Sequence, residues 1–301
     1  MVGTDPSQPG AGTTTIPVEL IPVAVDFSLV GANLSPENPA CFDSVPIVDR
    51  VVASPLFNDA PWPSGDITQF VDAFQRANFW TLVSRDSPDY HVLLNVSVGP
   101  AIQLEAPLNS SLIYNPNAAC PQPLAGVPID TMNAFVESEI STLGITPNTL
   151  PIFLTYNTAF LLDSGGVYLG YHNTFGSQTF VVASYNDPGF NLYSYNASDI
   201  VVLSHELGEW MDDPFGTNQV PAWGQFGIQP TCGGQLEVGD PLTSSVYAYP
   251  FAGFGYHIQE LAYFSWFAHN VPSLAINDEY STGTGPGSLA ATFTTYAPPC
   301  L

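Results

Sequence analysis

The chain contains no lysine, and its last arginine is Arg85. Beyond that point nothing carries a fixed positive charge. Asp and Glu number 27 against three basic residues (Arg50, Arg76 and Arg85), for a net charge of -24. Charged residues make up only 10% of the chain, so it is short of cations rather than crowded with carboxylates. Nucleic acid and anionic membrane are excluded as partners, because both demand a cationic footprint. Phosphorylated substrates are disfavoured for the same reason. Charge that develops beyond Arg85 must be met by a histidine, a tyrosine, a backbone amide or a metal ion. Self-repulsion relaxes when carboxylates protonate, which points to an acidic, extracellular habitat.

A chain of 301 residues, 45% hydrophobic, can bury a sizeable core. It has no run of the roughly 18 apolar residues that a membrane span needs. "MVGTDPSQPGAGTTT" has neither the charged start nor the apolar stretch of a secretory signal, so an export signal would have to be removed before Met1. Cys41, Cys120, Cys232 and Cys300 form no C-x-x-C pair. An even set of distant cysteines suggests two disulfides in an oxidising compartment, with Cys41–Cys120 and Cys232–Cys300 as the simplest pairing.

Residues 1 to 15 are rich in Gly, Pro, Ser and Thr and read as disordered. "IPVELIPVAVDFSLV" alternates as a strand does. "GDITQFVDAFQRANFW" predicts a helix capped by Asp66, with Ile67, Phe70, Phe74 and Ala77 on one face. "YHVLLNVSVG" and "AIQLEAPL" read as strands joined in a hairpin at Gly99-Pro100. "PIDTMNAFVESEISTLG" is a helix ending at Gly144. Three strands follow in "LPIFLTYNTAFL", "GVYLGYHNTF" and "QTFVVASYND". The spacing then predicts a helix from about Ser198 to Asp213, stopped by Pro214. "YHIQELAYFSWFAHN" predicts a late helix. The order of elements indicates an α+β fold, loop-rich, with one mixed sheet. Residues 16–125 hold no motif and are expected to pack on the same domain as residues 126–301.

The chemistry concentrates in "VVLSHELGEWMDDPFG", Val201 to Gly216. Residues four apart share a helix face, so His205 and Glu209 can grip one ion from consecutive turns. Glu206 is rotated by about 100 degrees from His205 and points at a metal's water rather than at the metal, the place of a general base. Gly208, mid-helix, implies something packed against the backbone. "CGGQLEVGDP" then presents Glu237 and Asp240 from a Gly-rich loop, either of which would complete a three-ligand site. Asp213 shares the Glu209 face, although Asp212 and Asp213 suit the helix end and the turn before Pro214 better.

"SHELGEWMDDPFG" followed by "QLEVGDP", with the later "HIQELAYFSWF", resembles a group of secreted bacterial zincin-like proteins. Their pattern is Ser-His-Glu-x-x-Glu, then Asp-Pro, then Glu-x-x-Asp. The resemblance covers roughly residues 150 to 270. It implies a zincin-like mixed sheet with an active-site helix, and a zinc peptidase acting on polypeptide. His205 and Glu209 would be metal ligands, Glu206 the general base, and Glu237 the third ligand with Asp240 as competitor. The departure from the wider zincin superfamily is Glu209 where a second histidine stands.

Glutamate holds its charge down to about pH 4.3, whereas histidine protonates below about 6.5, so the substitution suits acid. Glu209→His is expected to keep metal affinity at neutral pH and lose it sooner on acidification. His172 and His257 are candidates to stabilise an oxyanion, His257 the preferred one because such late segments return to the site in the family. "QTFVVASYND" occupies the place of a cleft-bordering strand, which an extended peptide would extend by strand addition. The expected protein is therefore a secreted, acid-tolerant metallohydrolase holding Zn2+, or another divalent cation such as manganese, iron or calcium. Two alternatives stand beside it: a non-catalytic extracellular protein with a structural cation, and a glycosidase using Glu206 and Glu237.

Overall fold

The computed structural model describes residues 1–8, 10–30, 42–112, 124–187, 191–192, 195–224 and 232–282. Three expected cysteine partners, Cys41, Cys120 and Cys300, lie outside these residues, and the disulfide pairing lies outside with them. The chain is α+β and divides into two compact units. One comprises Pro17–Val52 and Val96–Glu206, the other Met1–Ile16, Ala53–Asn95 and Leu207–Leu301.

The first unit is built on a mixed sheet in the order β11 (Gly170–Phe175), β12 (Gln178–Tyr185), β8 (Leu150–Tyr156), β1 (Thr14–Asp26), with β5 (Ile102–Glu105) also on β1; β4 (Val92–Val98), last in that order, contains the division after Asn95. β12, β8, β1 and β5 pair in parallel and β11 joins antiparallel at the edge. Central β8 reads "LPIFLTY" and is buried along its first six residues, as a strand covered on both faces must be. A second sheet has the order β10 (Val167–Tyr168), β9 (Thr158–Leu161), β7 (Ala125–Pro128), β6 (Ser111–Leu112), and β13 (Asn191–Leu192) pairs β14 (Tyr195–Asn196). The helices here are α1 (Val48–Val52) and α4 (Ile129–Leu143). α4 buries Met132, Val136 and Ile140, spaced four apart, in a cluster with Ile21, Val23, Phe153 and Val182 of the sheet. Its left-handed C-terminal residue is the expected Gly144, at φ 67.

Two strand expectations change. "LPIFLTYNTAFL" is two strands, broken at Asn157 (φ 49), whose side chain accepts the Asp187 N–H at 3.1 Å. Gly99-Pro100 makes no hairpin. Thr14 bonds to His91, Leu20 to Gly99, and Val23 lies opposite Ile102, so β4 and β5 follow β1 in the same direction. The Gly-Pro pair interrupts one long edge rather than reversing the chain. β12, expected to border a cleft, is instead an interior strand between β11 and β8.

The second unit carries three hairpins: β2 (Ala60–Pro61) with β3 (Ile67–Thr68), β15 (Gln219–Gly224) with β16 (Cys232–Gln235), and β17 (Val246–Phe251) with β18 (Phe254–Gln259). Its helices are α2 (Phe70–Asn78), α3 (Trp80–Asp86) and α6 (Phe264–Phe267). The opening segment, expected to be disordered, is hydrogen-bonded here, as in Val2 N–H to Met211 O at 2.8 Å. α2 starts later than expected, after Gln69. Ile67 pairs in β3 and is 72% exposed, while Phe70, Phe74 and Ala77 are buried as the periodicity required. Asp66 does not cap the helix but pairs with Arg76 at 3.2 Å. The late helix shrinks to α6, because Tyr256–Gln259 is β strand. Ala252 and Gly253, at φ 50 and 83, form a two-residue turn that commits the flanking residues to a hairpin.

The helix α5 (Val201–Asp212) contains the boundary between the units, after Glu206. Its residues are placed relative to one another by helix geometry.

Candidate metal centre

α5 starts where the end of β12 is tied to the segment before the helix. Asn186 accepts the Asp199 N–H at 2.7 Å, and its side-chain amide donates to Ala197 O at 3.0 Å. Asp199 takes a positive φ of 43 and accepts the Ile200 N–H at 2.7 Å. The helix ends where Asp213 accepts the N–H groups of Thr217 (3.0 Å) and Asn218 (2.7 Å). Asp213 is thus a turn former, as its place before Pro214 suggested.

A helix buried all round is ordinarily apolar all round. Here every residue from Val201 to Asp212 is buried except His205, which is partly so. Among them Glu206 and Glu209 are 4% exposed and Asp212 1%. With no lysine or arginine beyond Arg85, each carboxylate needs another solution. Asp212 receives the Gln75 side-chain N–H, and burial pushes its carboxyl up to about 7. Glu206 faces two histidines, His172 Nδ1 at 3.7 Å and His205 Nε2 at 4.0 Å. Both distances are too long for hydrogen bonds, and the contacts become ion pairs only when the imidazole is protonated. Glu209 Oε1 accepts the backbone N–H groups of Gly239 and Asp240, each at 3.2 Å.

Two glycines give the helix room. A Cβ on Gly170 of β11 would lie 2.5 Å from Val202 and 2.8 Å from Glu206 Oε1. A Cβ on Gly208 would lie 2.4 Å from Leu261. The close packing expected at Gly208 is therefore present, and its partner is Leu261.

Within the second unit the segment Leu236–Asp240 is held from below. Gln259 donates to Gly239 O at 2.6 Å and Ala262 N–H to Val238 O at 2.8 Å. Asp240 opens a 3₁₀ turn (Asp240–Leu242) with Gly239 as its N-cap residue. This brings both expected third ligands to Glu209: Asp240 and Glu237 each offer a carboxylate oxygen within 4.8 Å of one on Glu209. His205, one turn back on α5, offers a ring nitrogen within the same distance of Glu209. His257 lies on β18 opposite Ala248, partly buried; the histidine from outside α5 found 3.7 Å from Glu206 is His172.

An imidazole nitrogen with carboxylate oxygens is a donor set that zinc accepts, as do manganese and iron. The buried negative charge fits a cation as well. One Glu209 oxygen is oriented by two amides, the kind of outer support that ligating carboxylates receive. Sequence reasoning did not anticipate Gln259 or Gly170, which position the loop and admit Glu206. Gly170 carried a signal, a glycine inside a strand pattern two residues from a histidine. No family model, curated protein or solved structure matches the chain.

Proposed function

We propose that the protein is a secreted metal-dependent hydrolase of zincin type, acting on polypeptide in acid, with His205, Glu209 and Asp240 as ligands of a Zn2+ ion. The observation that carries this reading is that Glu209 has a His205 ring nitrogen within 4.8 Å on its own helix and an Asp240 carboxylate oxygen within 4.8 Å in its own unit. A bound ion would supply Lewis acidity, polarising a carbonyl and lowering the pKa of water. Glu206, on the adjoining helix face, is the group to accept and return a proton. His172 stands 3.7 Å away to hold its orientation. β11, which carries His172, ends the sheet among the described residues and is where extended substrate would pair. An outer strand offers backbone N–H and C=O groups for pairing, a role that interior β12 does not have.

A second reading has its own observation. Glu209 Oε1 anchors Gly239 and Asp240, so the same cluster serves a structural cation in a non-catalytic protein. The two separate on Glu206→Gln. With metal content equal to wild type, a hydrolase loses at least about a hundredfold in cleavage of a denatured protein near pH 4. Equal cleavage in both proteins, or none in either, rejects the hydrolase.

A further inference from the structure

The second unit contains a small, partly open pocket of about 60 Å³, none of whose lining residues belongs to the candidate metal centre. Five aromatic residues, Trp62, Phe70, Phe74, Tyr247 and Tyr263, share its lining with small, aliphatic and polar ones. Trp62 is fixed by its ring N–H, which donates to Thr68 O at 2.8 Å, and by stacking on Tyr249 at 4.6 Å. Phe74 stacks on Tyr263 at 5.7 Å. The one charged side chain in the lining is Glu279, and no lysine, arginine or histidine lines the pocket. The nearby cation of α2, Arg76, is engaged by Asp66 and by the carbonyls of Pro88 and Tyr90. Burial raises the Glu279 carboxyl above its ordinary range, while an Asn277 hydrogen bond opposes this. The field of buried Glu260 also reaches Tyr247 and Tyr263.

Aromatic faces are negative, and an organic cation over them is attracted most when water is excluded. A carboxylate at the rim of such walls completes the complementarity. We propose that this pocket binds a guanidinium or alkylammonium group, the chemistry of a basic side chain, between Trp62, Tyr247 and Tyr263, with Glu279 as its counter-ion. The chain is almost without such groups itself, so the occupant comes from another molecule. The proposal is independent of the metal reading.

The test uses the full protein with butylguanidinium, its neutral isostere butylurea, and methyl glucoside as a sugar that aromatic walls would also attract. Binding is read by ligand-observed NMR and by tryptophan fluorescence. Butylguanidinium is expected to saturate and to bind at least about tenfold more tightly than butylurea, roughly 1.4 kcal/mol. Glu279→Gln, checked for an unchanged melt, is expected to remove most of that difference. Ser64→Arg, at the pocket lining, provides a resident cation and is expected to exclude the probe even where Glu279→Gln is poorly folded. Equal binding of the urea and the guanidinium, preference for the glucoside, or no saturable binding at all overturns the proposal.

Discussion

The backbone N–H of Asp240 donates to Glu209 Oε1 at 3.2 Å, beside an equal bond from Gly239. The same carboxylate therefore fixes a loop and faces a candidate metal site. Two substitutions separate these tasks. Glu209→Gln keeps an oxygen acceptor for the amides but loses the charge. It is expected to retain the wild-type melt while losing at least about a hundredfold in Zn2+ affinity. Glu209→Ala also strands the buried Gly239 N–H, at about 1–3 kcal/mol, and the part-buried Asp240 N–H at less. Metal analysis with thermal unfolding reads both. Unchanged metal content in Glu209→Gln removes Glu209 from the ligand set.

Gly208 and Leu261 form a second constraint on the helix. A Cβ at Gly208 would stand 2.4 Å from Leu261 Cδ1. Gly208→Ala improves helix propensity by about 1 kcal/mol in isolation, yet overpacking costs about 1–3 kcal/mol. A net loss of stability is expected, and Leu261→Ala in the same chain is expected to recover part of it. A Gly208→Ala protein that melts above wild type would contradict the packing.

Gly170 tests the placement of Glu206. An alanine there would put Cβ 2.8 Å from Glu206 Oε1 and 2.5 Å from Val202. Gly170→Ala is expected to displace the Glu206 carboxylate and cut hydrolysis about tenfold or more, since small misplacements are costly in catalysis. Metal content is expected to stay near wild type, because the atoms nearest that Cβ belong to Val202 and Glu206 rather than to a proposed ligand. Activity and metal lost together would mean that the strand, not the base, was disturbed.

The motif residues were legible because α5 is regular: His205, Glu206 and Glu209 fall where a 3.6-residue period puts them. α4 was legible for the same reason, with Gly144 closing it. What spacing does not carry is long-range partnership. Nothing in "YHIQ" distinguishes half a helix from the last strand of a hairpin until the Ala252-Gly253 turn is recognised. Nor does "EVGD" reveal that its Gly239 and Asp240 amides end on Glu209. The expectation that Glu209→His preserves neutral-pH metal binding changes accordingly. One imidazole nitrogen cannot replace an oxygen holding two N–H groups and also bind an ion. The histidine variant is expected to loosen the loop at every pH.

Asp212 supplies the pH dependence that the cation-poor composition only suggested. Its carboxyl is buried, one oxygen receives the Gln75 amide, and Oδ2 has no hydrogen-bond partner among the described residues. Desolvation raises its pKa from 3.8 to about 7 in the fold, against the Gln75 bond, which lowers it. A raised carboxyl pKa means that the folded state holds a proton the unfolded state releases. The contribution is fully favourable below the unfolded value, declines as pH rises between the two values, and is gone above the folded one. Wild type should therefore lose up to a few kcal/mol between about pH 4 and pH 7 from this one group. Asp212→Asn stays neutral, and its amide oxygen still accepts from Gln75. Its melting temperature is expected to match wild type near pH 4 and to exceed it by several degrees at pH 8. Parallel melting curves for the two proteins across that range would show that Asp212 is ionised inside the fold throughout, and would leave acid tolerance without this source.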